Sequence, residues 1–139
     1  MEWRLIVDSL GTGLPVLLLH LAATLLLLGL GVAGYMAMTP FHERRLIAQG
    51  NAAAGMVLGG TVVALAVPLA ATLATSTAAV DILVWGAVAV LFQLIAFAVA
   101  ALLVRDLRAQ VDAGNTAAAM TVVGVQIAFA LVNAAAMAG

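Results

Sequence analysis

Four long stretches without a charged side chain constrain this chain more than any other feature. They cover about residues 14–38, 51–73, 82–104 and 115–137. Each contains the roughly 20 apolar residues that a helix needs to cross the hydrocarbon core of a bilayer. Backbone groups in hydrocarbon must find hydrogen-bond partners within their own segment, so each stretch is predicted to be an α-helix. The sequence therefore predicts an all-α membrane protein with four transmembrane helices, in one integral membrane domain over residues 1–139.

The overall composition agrees with a lipid environment. Apolar residues make up 66% of the chain and charged residues 8%, against about 45–50% and about 25% in a typical soluble domain. Such a chain cannot cover its own surface with polar groups. The net charge of −1 excludes the broad basic face that nucleic-acid binding needs. The sequence has no cysteine, which excludes thiolate chemistry and cysteine metal sites.

The arginines predict how the chain threads the membrane. Arg44 and Arg45 follow the first stretch. Arg105 and Arg108 follow the third stretch, and only Arg4 lies on the other side. Basic residues in short loops mark the cytoplasmic side of a membrane protein. We therefore expect these two arginine pairs to form cytoplasmic basic loops, with both termini outside the cytoplasm.

The first ten residues leave two interpretations open. Their apolar side chains recur at helical spacing, at Trp3, Ile6, Val7 and Leu10. One apolar face of this kind is typical of a short helix that lies in the membrane interface. The alternative is an extension of the first span. Because the flank carries Glu2 and Asp8 instead of a positive segment, we expect the first span to be retained and not cleaved as a signal peptide.

A short motif occurs twice in the chain. Gly50-Asn51 is followed by small residues, and the same pair returns 64 positions later as Gly114-Asn115. Further identities follow at the same offset in the helices behind them. Each unit contains two spans, so both copies would thread the membrane in the same direction, unlike the inverted repeats of many transporters. The prediction is two parallel-repeated helical hairpins, which would cover about 14–73 and 82–137.

The repeated pair has a local physical interpretation as a helix-cap motif. An asparagine before a helix accepts a hydrogen bond from a free helix N–H group, and glycine allows the sharp turn in front of it. The alternative is that Asn51 and Asn115 form a ligand or ion site at the cytoplasmic mouth. Small residues in the following helices favour close helix packing in lipid, and the predicted packing positions are Gly55, Gly59, Gly60 and Gly124.

Several motifs together resemble a known family. These are Thr39-Pro40, the two Gly-Asn pairs that continue into alanines, and Asn133-Ala134-Ala135. They resemble the YjfL-like inner-membrane proteins, a bacterial family catalogued as domain of unknown function number 350. The resemblance covers essentially the whole chain and implies four helices in a bacterial inner membrane. It brings no settled activity, although the neighbouring genes of family members imply a setting in polyamine metabolism or envelope stress.

A small set of polar side chains lies inside the predicted helices, namely His20, Thr24, Gln93, Gln126 and Asn133. Counting from the ends of the stretches places Thr24 and the two glutamines near the midplane, and the other two in an outer layer. In one interpretation they form an interhelical hydrogen-bond network, worth about 0.6–2 kcal/mol for each pair. In the other they line a solvated path for a small solute or ion.

The sequence does not favour an enzyme. His42-Glu43-Arg44-Arg45 begins like the zinc-protease motif HExxH, but Leu46 stands where the second histidine is required. No cofactor or metal is predicted. We predict a non-enzymatic subunit or scaffold in the lipid bilayer, which forms homo-oligomers through its Gly/Ala-rich faces and presents its basic loops to a cytoplasmic protein partner. The alternative is a small channel or facilitator for an ion or small polar solute.

Overall fold

A computed structural model describes residues 1–39 and 42–139, so Pro40 of the Thr39-Pro40 pair lies outside the described residues. Four helices are long and apolar enough to cross a membrane. This confirms the predicted all-α fold and the four candidate spans. Two short helices lie between them, and the order is α1 Glu2–Met38, α2 Glu43–Ala48, α3 Ala52–Thr75, α4 Ala79–Leu103, α5 Leu107–Asp112 and α6 Thr116–Ala138.

The central helix of the bundle is α3. It contacts α1, α4 and α6, and its most extensive contact is with α6. Gly60 makes that close approach possible, because a Cβ atom at this position would lie 2.5 Å from both methyl carbons of Val123. The other predicted packing glycines behave differently. Gly55 is near Ile47 only, and a Cβ at Gly59 or Gly124 would meet nothing within 4 Å.

Helices α1 and α4 pack in parallel. A Cβ on Gly86 would contact Leu27, and one on Gly34 would contact Leu94, so both helices advance in the same direction along their interface. The first residue of α4, Ala79, lies seven residues before Gly86. It therefore comes opposite about residue 20 of α1, which lies seven residues before Leu27. The earlier part of α1 therefore extends past the end of the bundle.

The first half of α1 is exposed along its whole length. The helix is continuous from Glu2 to Met38, so the first ten residues extend the first span and do not form a separate helix. Every residue from 1 to 19 is exposed, and burial begins at Ala23. This leaves an apolar helical segment that the rest of the chain does not bury; residues 2–19 are called the α1 overhang below.

The short helices α2 and α5 precede α3 and α6 in the same way. Each is followed by a glycine with positive φ, 81° at Gly50 and 76° at Gly114, a backbone conformation that glycine adopts without steric cost. Asn51 and Asn115 are then the N-caps of α3 and α6, with side chains that accept hydrogen bonds from the first turn. The end of the bundle that carries these two helices is called the α2–α5 end.

Candidate functional site

The two glutamines of the predicted midplane layer meet in the core. Gln93 on α4 is 1% exposed and Gln126 on α6 is 0% exposed. The Nε2 of Gln93 donates a hydrogen bond to the backbone carbonyl of Gln126 at 3.0 Å. The Oε1 of Gln93 and both side-chain polar atoms of Gln126 have no hydrogen-bond partner. This amide pair is therefore packed between helices and only partly satisfied.

An unpaired amide in the membrane interior is energetically unfavourable. Leaving a buried donor or acceptor unsatisfied costs about 1–3 kcal/mol, and hydrocarbon offers no water to replace the missing partner. The next buried polar residue along α6 is Asn133, whose Nδ2 lies 3.4 Å from the carbonyl oxygen of Ala89, long for a hydrogen bond. One hydrogen bond of ordinary length and one long contact thus link α4 to α6.

His20 and Thr24 do not join the amide pair. The Thr24 hydroxyl donates to the carbonyl of His20 within α1 at 2.8 Å. His20 is partly exposed and faces a groove of about 490 Å³ that also involves Leu17 and Leu73. The contact of Leu27 with Gly86 places Thr24 closer to the start of α4 than to Gln93. The structure thus brings Gln93 and Gln126 together on α4 and α6, and places His20 and Thr24 on α1 nearer the start of α4.

The asparagine caps are fully engaged. The Oδ1 of Asn51 accepts from the Ala54 amide at 2.9 Å, and its Nδ2 donates to the Val111 carbonyl at 2.8 Å. Asn115 accepts from the first turn of α6, and its Nδ2 donates to Gln110 Oε1 at 2.7 Å. Asn51 also joins the start of α3 to the end of α5. These contacts support the cap interpretation and leave little capacity for an ion or ligand.

The four loop arginines are exposed. Arg105 lies 3.8 Å from Asp106, and Arg108 lies 3.8 Å from Asp112. Exposed pairs of this kind contribute about 0–1 kcal/mol. The arginine loops are therefore available for contact with solvent, lipid head groups or another protein.

A polar cluster that the sequence did not predict lies at the α2–α5 end. Glu43, the first residue of α2, is 3% exposed. The hydroxyl of Thr39 donates to its Oε1. The hydroxyl of Tyr35 lies near Glu43 and Thr61 and has no hydrogen-bond partner. These four residues are called the hydroxyl–carboxylate cluster.

The walls of this cluster are apolar. Tyr35 is 0% exposed, and its ring packs edge-on against Phe97 with centroids 4.8 Å apart. The sequence carries a weak signal for this place, since Tyr35 and Thr39 are four residues apart and share a helix face. Glu43 could not be assigned to the core from the sequence, because it follows the apolar stretch and its burial depends on how α2 folds back.

An open cleft lies at the other end of the bundle, between the end of α3 and the start of α4. Its volume is about 410 Å³. Hydroxyl groups dominate its polar lining, which includes Thr72, Thr75, Ser76, Thr77 and Asp81.

Comparison with known proteins gives one family and one kind of relative. A family model described as Domain of Unknown Function (DUF350) matches residues 9–137. The chain is 32% identical over 103 residues to the UPF0719 inner membrane protein YjfL of Escherichia coli strain K12. The aligned region covers 74% of this chain and 78% of that protein. The same values relate it to the protein of that name in Escherichia coli O157:H7. No solved structure matches the chain.

Proposed function

We propose, from the premise that this chain belongs to the DUF350 family, that it is a non-enzymatic subunit of the bacterial inner membrane that assembles with further copies of itself. Its relatives are named inner membrane proteins, and its four apolar helices suit a multi-pass location. The subunit would present its arginine loops to a cytoplasmic partner, with both termini on the opposite side.

The α1 overhang is the observation that carries this proposal. A helix of 37 residues is about 55 Å long at 1.5 Å per residue, while the hydrocarbon core is about 30 Å thick. Lipid tails therefore cannot cover all of α1. The overhang nevertheless exposes large apolar side chains, among them Leu5, Ile6, Val7, Leu10 and Leu14. A second copy of the chain offers the same apolar surface and would cover it.

Disulfide cross-linking tests the assembly directly, because the chain has no cysteine. Leu10→Cys on the overhang should cross-link two copies under mild oxidation in membranes. The matched control is Leu102→Cys on α4, which is equally apolar and highly exposed at 85% but lies at the α2–α5 end. Only monomers at both positions, or equal cross-linking at both, would contradict assembly through α1.

The internal repeat is part of the proposal. At an offset of 64 residues, α2 and α5 have matching bounds, and the backbone bonds around the two caps correspond. Asn51 N–H donates to Leu46 O and Asn115 N–H donates to Gln110 O, both at 2.9 Å. We infer that the two hairpins derive from one ancestral unit. The sequence identity is densest at the caps and the first turns that follow them, whereas α2 and α5 correspond in their bounds and backbone bonds.

The runner-up is a small channel or facilitator, which the unpaired atoms of the amide pair favour. Water reaching the midplane would satisfy those atoms. Single cysteines at Gln93 and Gln126 decide between the two functions when tested with a membrane-impermeant thiol reagent in inside-out vesicles, where the α2–α5 end would face the reagent. Labelling at both sites with none at Val125→Cys would favour the channel. No labelling at these three positions, together with labelling of Asp112→Cys as the loop control, would favour the subunit.

A further inference from the structure

Glu43 is a buried carboxylate without a cationic partner. Among residues 1–39 and 42–139 the ion pairs are Arg105–Asp106 and Arg108–Asp112, and neither involves Glu43. Removing a charge from water costs several kcal/mol unless it is paired or hydrogen-bonded. One hydroxyl donor, from Thr39, is a small compensation. A further interaction at the α2–α5 end must therefore offset the cost of burying the Glu43 charge.

Anchoring of the short helix does not explain the carboxylate. Leu107 begins α5 as Glu43 begins α2, 64 positions earlier, and it is also buried, at 8% exposure. An apolar side chain is therefore sufficient to hold a short helix of this kind against the bundle. Anchoring alone therefore does not require a carboxylate at position 43.

Hydroxyl oxygens lie near Glu43 and could serve as ligands. The Tyr35 hydroxyl is fully buried close to the carboxylate and has no hydrogen-bond partner. Thr61 donates its own hydrogen to Val57 O at 2.7 Å, which leaves its oxygen lone pairs free. The Thr39 hydroxyl has a second acceptor, Met36 O at 3.2 Å. It can therefore turn its hydrogen away and offer its oxygen as well.

The chemistry of these donors selects the class of ligand. Carboxylate and hydroxyl oxygens suit hard cations, whereas the softer transition metals prefer nitrogen or sulfur ligands. The cluster contains one carboxylate, so one positive charge balances it. Divalent cations are usually bound by more than one carboxylate, and this cluster has only one.

An opening connects the cluster with solvent at the α2–α5 end. A cavity of about 270 Å³ is lined by Glu43, Thr39, Met36 and two charged or titratable residues, His42 and Arg44. The side chains of His42 and Arg44 are exposed, so solvent screens any positive charge they carry. A small ion can therefore reach the carboxylate from the side where α2 lies.

We propose that Tyr35, Thr39, Glu43 and Thr61 bind a single monovalent cation of the sodium or potassium type. This site is independent of the assembly proposed above, because it lies at the other end of α1 from the overhang. The bound ion balances the buried carboxylate and fastens α2 to α1 and α3.

The first experiment measures thermal stability of the full chain in lipid nanodiscs, in NaCl, KCl or choline chloride at equal ionic strength. A ligand that binds only the folded state raises Tm progressively, because the stabilisation grows with the logarithm of its concentration above Kd. We expect sodium or potassium to raise Tm above the value in choline, and the two alkali salts identify the preferred ion. Equal Tm in the three salts at every concentration would overturn the proposal.

Two variants separate binding from folding. Glu43→Leu copies the residue that begins α5, so it should fold and lose the difference between salts. Tyr35→Phe keeps the charge and should weaken the apparent cation affinity by about tenfold, as expected for one lost contact to a charged group. A salt difference that persists in Glu43→Leu contradicts the site. If Glu43→Leu fails to fold, an unchanged affinity in Tyr35→Phe contradicts it instead.

Tyr35 also gives a local readout, because it is the single tyrosine of the chain. A ¹³C label at its ring Cζ should give one NMR signal that moves with the cation titration at constant pH. If the signal moves with pH in choline chloride and does not move with sodium or potassium, a proton and not a cation is bound at the carboxylate. That result would overturn the cation site.

Discussion

Gln126 is a buried residue whose side chain and backbone carbonyl have different hydrogen-bonding roles. Its amide is 0% exposed and has no partner for either polar atom. The backbone carbonyl of the same residue accepts the bond from Gln93. The tie between α4 and α6 therefore uses the backbone at position 126, and the side chain there is replaceable.

Gln126→Leu should leave the bundle as stable as it is or stabilise it by about 1–2 kcal/mol. The substitution removes unpaired polar atoms, whose burial costs about 1–3 kcal/mol, and keeps a similar volume. Unfolding by denaturing detergent in mixed micelles measures the change. Gln93→Leu is the control, since it loses the bond to the Gln126 carbonyl. A loss of stability larger for Gln126→Leu than for Gln93→Leu would mean that a water or ion pairs with the Gln126 amide.

The two cap asparagines should differ in what they contribute to stability. Asn51→Ala loses the cap bond to Ala54 and the bond to the Val111 carbonyl. A cap is worth about 1 kcal/mol and a further hydrogen bond about 1 kcal/mol, so about 2 kcal/mol should be lost. Asn115→Ala should lose about 1 kcal/mol, because its second bond goes to Gln110, a side chain near the surface. The same detergent unfolding measures both, and an equal loss would contradict the link between α3 and α5.

The contact between helices α3 and α6 depends on Gly60 and not on its neighbour Gly59. Gly60 faces Val123, and Gly59 faces open space. The branched Val123 side chain has little rotational freedom in a helix, so it cannot easily yield to an added methyl group. Of the two neighbours, only Gly60 is therefore required for packing inside the chain.

Gly60→Ala should destabilise the bundle by about 1–3 kcal/mol, the usual cost of overpacking a tight contact. Gly59→Ala is the matched control and should not destabilise the monomer. Thermal unfolding in detergent compares the two. If the Gly59 variant is the less stable one, the register of α3 against α6 described above is wrong.

The long helices were predictable from the sequence, and the short ones were not. The predicted stretches at 51–73 and 115–137 differ from α3, Ala52–Thr75, and α6, Thr116–Ala138, by one or two residues at each end. Glycine and asparagine mark where those helices begin, so the sequence carries the boundary. Helices α2 and α5 are too short for a hydrophobic period to be recognised, and they are stable because their first residues pack against the bundle.

The candidate site was predictable only in part for the same reason. The α6 face with Ala119, Val122, Gln126 and Ala130 follows helical spacing, and the structure buries all four. Glu43 follows the first span at a place where an exposed loop was expected. Its burial is decided by α2 folding onto α1 and α3, and no local pattern in the sequence reports a contact of this kind.

On the scale of the whole molecule, an even number of spans places both termini at the same end of the bundle. The proposed threading puts the α2–α5 end in the cytoplasm. In right-side-out vesicles an impermeant thiol reagent should therefore label Thr77→Cys, in the connection between α3 and α4, and should not reach Asp112→Cys until the membrane is opened. The reverse pattern would mean that the arginine distribution does not set the orientation of this chain.

The central position of α3 has a consequence for biosynthesis. Its principal partner is α6, which is synthesised after α1, α3 and α4. Until Thr116 and the residues after it have been made, the Gly60 face of α3 stays open to lipid, and Asn51 has no Val111 carbonyl to bind before α5 exists. The packing of α1 and α3 is therefore completed only when the later helices have been inserted. A chain that stops after α4 keeps this face of α3 uncovered.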